Sequence, residues 1–184
     1  DYDVDGATSS ALLERFIKRL GGRTNIYIPD RLKEGYGPNI PALLRMANEG
    51  VSLVLTVDCG TAAFAPFEAA RKANLDIIVI DHHAAEAKLP DALAIINPNR
   101  LDDQSGQGHL AAVGVTFLLI IAVNRLLRET GFYKKIAEPD LMLWLDLVAL
   151  GTVCDVVPLV GLNRAIVKQG LKVISKRTNP GIAA

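Results

Sequence analysis

The chain has 184 residues, half of them apolar and 5% aromatic, and its 20 Lys and Arg balance 20 Asp and Glu. That length suits one domain with a sizeable core. Zero net charge gives no global electrostatic sign of nucleic-acid binding, which would need a local patch or parts not present here.

The chain opens on Asp1-Tyr2-Asp3-Val4-Asp5-Gly6 with no initiator Met and no apolar strand ahead of the motif, so truncation at the N-terminus is expected. Read as an extended segment, Asp1, Asp3 and Asp5 share one side. Three carboxylates over about 13 Å of extended chain cannot all reach a single ion. Either the segment curls at Gly6 or the carboxylates serve two ions. Residues 7–20 read as a helix with Leu12, Phe16 and Leu20 on its apolar side, stopped by Gly21-Gly22. Residues 25–28 read as a short strand. A charged loop over 29–38 carries Arg31 and Glu34-Gly35-Tyr36-Gly37, either a cation and an aromatic near substrate or a plain polar loop.

A helix over 40–48 precedes a near-continuous apolar strand over 51–57, as expected of a strand covered on both faces. That strand runs into Asp58-Cys59-Gly60. A helix over 62–73 leads to a strand over 76–80, which runs into Asp81-His82-His83. A strand over 92–96 is closed by Asn97-Pro98, and a polar loop over 99–108 ends at His109. Helices follow over 110–130, 139–149 and 163–175. The apolar run 110–123 falls short of the roughly 20 residues that span a bilayer. With Gly114 inside it and Asn124-Arg125 after it, a buried core helix is expected. No signal peptide is visible, and no membrane partner is expected. Two cysteines, Cys59 and Cys154, are too few for a disulfide framework. They read as small buried thiols beside a metal site, in a reducing cytoplasm.

Strands alternating with helices predict an α/β fold, a doubly wound, mostly parallel sheet with helices on both faces. Ligands of such sheets bind at the carboxyl ends of the strands. Four acidic motifs are expected at such ends: Asp1 to Gly6, Val57 to Gly60, Asp81 to His83, and Gly151-Thr152-Val153-Cys154-Asp155-Val156-Val157-Pro158. Two like charges about 4 Å apart repel by roughly 4 kcal/mol at an effective dielectric of 20, so the cluster calls for divalent cations. Asp58 is placed to bridge two ions or to cap the next helix. Of the adjacent imidazoles, one suits a metal and the other substrate, with Asp81 orienting a ring. Asp155 sits in an apolar segment, where an unpaired charge is costly, so it needs a metal or a buried salt bridge. Oxygen-rich ligands with one His suit Mn²⁺ or Mg²⁺ better than zinc. Two such ions activate water and clamp a phosphoryl oxygen. Arg164, Lys168, Lys172 and Lys176 recur every four residues, as a phosphate track or, more simply, a solvated face.

Taken together, the four motifs resemble those of the DHH phosphoesterase superfamily, and most closely its RecJ-type branch. The loop Arg31 with Glu34-Gly35-Tyr36-Gly37-Pro38-Asn39 and the long fourth motif carry the branch resemblance. Cys154 departs from it, standing where that branch usually has Ala. The resemblance implies metal-dependent 5′-to-3′ hydrolysis of single-stranded DNA in repair and recombination. Asp1, Asp3 and Asp58 would hold one ion, and Asp5, Asp58, His82 and Asp155 the other. His83 would meet the scissile phosphate or assist proton transfer. Read from the residues alone, Arg31 and Tyr36 are candidates to line the substrate, and His109 could reach the site or, more simply, is an ordinary loop His. The resemblance also implies one catalytic domain over 1–184 whose final helix, from about 163, leads toward a DHH-associated domain, with an oligonucleotide-binding domain further downstream. Single-stranded DNA is the implied partner, alongside a single-strand-binding protein or helicase. Two other readings stay open: a phosphodiesterase of short oligonucleotides or cyclic dinucleotides, and a non-catalytic replication scaffold.

Overall fold

The computed structural model describes residues 2–184. The first helix, α1 (Val4–Arg19), begins inside the first acidic motif: the Asp3 carboxylate caps it by accepting from the Gly6 N–H at 3.0 Å. From Val4 on the motif is therefore helical rather than extended, and Asp3 and Asp5 do not share the side of an extended segment. A favourable N-cap Asp, with no proline in the turns that follow, lets the helix start three residues earlier than its apolar periodicity suggests. Helix α2 (Ile40–Asn48) starts the same way, with Asn39 accepting from the Ala42 N–H and Pro41 in the first turn.

Three parallel strands follow in the order β1 (Leu53–Val57), β2 (Asp76–Ile80), β3 (Ala94–Ile96). The register pairs Leu53 with Asp76 and Ile78 with Ala94. Helix α3 (Phe64–Lys72) connects β1 to β2. The two-residue period of β2 divides the core. Ile77 and Val79 face a cluster with Leu43, Phe67 and Ala70, whereas Ile78 and Ile80 face a larger one with Leu12, Phe16, Val113 and Val148. Helices thus cover both faces, α2 and α3 on one and α1, α4 (Ala112–Glu129) and α5 (Leu145–Cys154) on the other.

Residues 25–28 are not a strand. A groove of about 900 Å³ lies between this segment and β1, floored by Leu13 and Ile17 of α1, so the segment has no strand edge within reach. The expected helix over 139–149 is displaced: a 3₁₀ turn at Leu141–Trp144, capped by Asp140, precedes α5. Leu145, Val148, Ala149 and Thr152 are buried at helical spacing, so the fourth motif is the end of a helix and Asp155 is its C-cap. Among the described residues Asp58 and Asp81 directly follow strands, whereas Asp155 ends a helix. Helix α6 (Gly161–Ile174) packs on α5 at Gly170, where a Cβ would lie 2.3 Å from the Ala149 Cβ and from the Leu145 carbonyl oxygen. A short α7 (Pro180–Ala183) follows. Cys59 is buried, but Cys154, the last residue of α5, is exposed, contrary to expectation. No helix among the described residues is long and apolar enough to cross a membrane.

Candidate metal centre

The carboxyl ends of β1 and β2 and the ends of α1 and α5 meet around one imidazole. His82 Nε2 lies 3.2 Å from Asp58 Oδ1, 3.6 Å from Asp155 Oδ2 and 3.9 Å from Asp5 Oδ2. Two overlapping sets of atoms lie close enough to hold an ion: Asp58, His82 and His83, and Asp5, His82 and Asp155. Asp5 and Asp58 are each 1% exposed. Burial first, and then repulsion from Asp58, raises Asp5 to about 7. Burial also lifts Asp58 above the usual carboxylate range, against the pull of His82 and with the help of Asp3. Burial raises Asp155 as well, against the pull of His82. Burial disfavours the charged form of His82, but the Asp58 contact and the surrounding carboxylates overcome it and raise its affinity for a proton.

Asp58 Oδ1, His82 Nε2 and Asp155 Oδ2 are all buried, and none is aligned with a hydrogen-bond partner. Buried polar atoms are ordinarily paired. Three convergent donors without partners, two of them carboxylate oxygens, fit a hard divalent cation.

Asp81 has a different task. Its Oδ2 accepts from the Thr61 N–H, and its Oδ1 accepts from the main-chain N–H groups of His82 and His83 and faces His83 Nδ1 at 2.8 Å. Burial opposes its charge, but these bonds outweigh burial and hold it well below the usual range. Asp81 is thus a clamp that fixes the turn and the His83 ring.

Asp5 is held just as firmly. Its Oδ2 and Oδ1 accept from the Ala112 and Val113 N–H groups at 2.6 and 2.8 Å, at the first turn of α4. Helix α5 crosses directly over it at Gly151, where a Cβ would lie 2.3 Å from Thr8 Oγ1, 2.8 Å from Val113 Cγ1 and 3.2 Å from Asp5 Oδ1. Asp58 itself sits at φ 59° and Val156, next to Asp155, at φ 60°. Left-handed backbone is costly for β-branched Val, and such positions cluster at functional sites.

The aromatic residues form a path to this centre. Tyr36 donates its hydroxyl to the Asp58 carbonyl at 3.0 Å and meets His83 edge-on at 6.1 Å. It also meets Tyr2 edge-on, and the Arg31 guanidinium lies over the Tyr2 ring at 5.1 Å. Arg31 and Tyr36 therefore stand on the His83 side of the cluster. His109 does not join either ligand set: it lies over the start of α6, where Asn163 donates to its carbonyl. Asp1 lies outside the described residues. Asp3 caps α1 beside the cluster, close enough to Asp58 to raise its affinity for protons.

Sequence reasoning missed the Asn97-Pro98-Asn99 support. Asn97 Nδ2 donates to Thr61 Oγ1 and to the His83 carbonyl, while Asn99 Nδ2 donates to the carbonyls of His82 and Gly108. Two asparagines flanking a proline directly after a strand were the available signal; the dipeptide Asn97-Pro98 reads first as a strand stop.

A family model described as the DHH family, N-terminal domain, matches residues 1–152. The chain is 42% identical over 188 residues to the single-stranded-DNA-specific exonuclease RecJ of Dickeya dadantii and to that of Escherichia coli strain K12, spanning 100% of this chain and 33% of each relative. It thus covers about a third of the length of these curated relatives. A crystal structure of exonuclease RecJ bound to manganese superposes with a TM-score of 0.83 at 36% identity, covering 100% of this chain and 44% of that one. RecJ from Thermus thermophilus in complex with Mn²⁺ superposes with a TM-score of 0.74 at 31% identity, covering 99% of this chain and 24% of that one.

Proposed function

The chain belongs to the DHH family, and on that footing we propose that it is the catalytic core of a 5′-to-3′ exonuclease for single-stranded DNA that works with two Mn²⁺ or Mg²⁺ ions. The observation that carries this is the convergence of Asp5, Asp58 and Asp155 on His82 Nε2 with no Lys or Arg within 4.0 Å of these three carboxylates among the described residues. The names of the RecJ relatives support the substrate, and the manganese-bound structures support the metal.

Asp5, Asp58, His82 and Asp155 would hold one ion, and Asp1, Asp3 and Asp58 the other, with Asp58 shared. When bound, the ions supply an activated water and countercharge for a phosphoryl oxygen. The chain's own residues do the positioning. Asp81 fixes His83 with Nδ1 toward the carboxylate, which leaves Nε2 to meet a phosphate oxygen or carry a proton. Arg31 and Tyr36 stand where a nucleotide next to His83 would lie, and half-exposed Tyr36 offers a ring to a base. The final helix, from about residue 163, leads toward a DHH-associated domain in the whole protein, and the greater length of the relatives supports further domains.

The test is Asp58→Ala in the full-length protein, assayed on long single strands with Mn²⁺. Hydrolysis is lost while the circular dichroism spectrum is kept; near-normal cleavage would overturn the assignment. Faster turnover of dinucleotides than of long strands by the wild type would favour the short-oligonucleotide reading. A metal titration that finds no Mn²⁺ binding at Asp58 would favour the scaffold reading.

A further inference from the structure

The charge of this chain balances only in sum. Five of the 20 Lys and Arg, and none of the 20 Asp and Glu, fall within residues 156–184, which leaves fifteen cations against twenty acids in the rest. Four of the five, Arg164, Lys168, Lys172 and Lys176, recur every four residues along α6 and just past its end. All four are exposed, and none has a carboxylate within 4.0 Å among the described residues. This sets them apart from Lys18, Lys33 and Lys72, each of which pairs with an acid three or four residues away. A solvated helix face ordinarily interleaves both signs; this one carries a single sign, and like charges four residues apart on a helix repel.

The position of the stripe relative to the metal centre is fixed. Gly170 lies against Ala149 and Leu145, so α6 runs back along α5, with its Arg164 end toward the C-terminal end of α5 and its Lys176 end away from it. The contact leaves no room for a Cβ, which keeps the two helices in one register. Each four-residue step rises about 6 Å, and the stripe reaches about 18 Å from end to end.

We propose that Arg164, Lys168, Lys172 and Lys176 form a track for the sugar–phosphate backbone of the DNA single strand, holding the nucleotides away from the point of cleavage. This rests on the nuclease reading above. Phosphate contacts of this kind position a strand without reading its sequence, and they release counterions, so each shows in the salt dependence of binding. The track would let substrates of several nucleotides bind more tightly than short ones while the metal site does the same chemistry on both.

The experiment compares the full-length enzyme with its triple variant Lys168→Gln, Lys172→Gln, Lys176→Gln. Fluorescence anisotropy follows binding of a labelled twenty-nucleotide single strand without divalent metal, from 50 to 200 mM salt. The plot of log K against log salt should become shallower by about 2, from roughly 0.7 for each lost phosphate contact. Over that fourfold range the wild type then loses about twentyfold more affinity than the variant. The triple Lys→Arg variant should keep the wild-type slope. The ratio of kcat/KM on the long strand to that on a dinucleotide should fall in the Gln variant. A matched variant, Lys18→Gln, Lys33→Gln, Lys72→Gln, controls for net charge. A Gln-variant slope equal to the wild type's, or equal to that of the matched control, would overturn the track. The binding arm needs no hydrolysis, so the track can fail while cleavage persists, and cleavage can fail while the track stands.

Discussion

Gly151→Ala tests whether the crossing of α5 over α1 and α4 sets the position of Asp5. On an exposed helix this substitution would stabilise by about 1 kcal/mol, because Ala is the better helix former. Here the new Cβ would meet Thr8 Oγ1 at 2.3 Å, Val113 Cγ1 at 2.8 Å and Asp5 Oδ1 at 3.2 Å. Thr8 is buried and hydrogen-bonded to the carbonyls of Val4 and Asp5, and Val113 is fully buried. Neither can swing aside as the end of a flexible side chain would. Overpacking of this kind costs about 1–3 kcal/mol, and two contacts under 3.0 Å place this site at the upper end, so the clash outweighs the propensity. A net loss of about 2 kcal/mol lowers the melting temperature by about 4–8 °C in a chain of this size. Scanning calorimetry without metal reads the stability, and isothermal titration with Mn²⁺ reads the displacement of Asp5, expected as a loss of affinity. Thr8→Ala in the same chain removes the nearest atom and should restore part of both. A Gly151→Ala protein that melts with the wild type and binds Mn²⁺ equally would show that the crossing does not position Asp5.

Asn97→Ala removes the donor to Thr61 and to the His83 carbonyl; by analogy with other outer supports of metal ligands it should lower activity or Mn²⁺ affinity about 10–100-fold, while equal activity would remove Asn97 from the site. Stability should depend on pH in a direction set by the metal. Asp5, raised from 3.8 to about 7, and His82, raised from 6.5 to about 9, bind protons more tightly when folded, as do Asp58 and Asp155, so without metal stability falls as pH rises from about 4 through 9. Saturating Mn²⁺ competes with those protons and should reverse the slope; melting temperatures at pH 5 and pH 8, with and without the ion, check this. Val156→Gly relieves a left-handed β-branched residue at φ 60°, and since Val156 is 86% exposed little packing is lost. A gain of about 1 kcal/mol is expected, read as a melting temperature about 2–4 °C higher.

The sheet and its covering helices were legible because β1 and β2 are short apolar runs bounded by turn residues, and because α1, α2 and α4 carry clear periodicity. The strand expected over 25–28 failed for a reason no local pattern records: a strand needs a neighbour's edge, and a groove lies where one would be. The fourth motif was misplaced because the run from Leu141 to Leu159 is apolar enough to hide its period. Asp58, Asp81, His82, His83 and Asp155 could be read as a group, since carboxylates and imidazoles abutting apolar runs are poor surface choices. The contact of Asp5 with α4, 107 residues away along the chain, could not. Nor could the division of labour between Asp81, saturated by hydrogen bonds, and Asp58, whose Oδ1 is left without one.

That contact with α4 has a chemical corollary. An acid whose two oxygens both rest on main-chain N–H groups at a helix start has already shared out part of its negative charge. It is a weaker donor than an equally buried acid without those bonds would be, although burial still leaves it the stronger base beside a free carboxylate. With both oxygens tied to the backbone, that acid cannot turn to follow an ion, so the centre must take cations that suit a spacing already set.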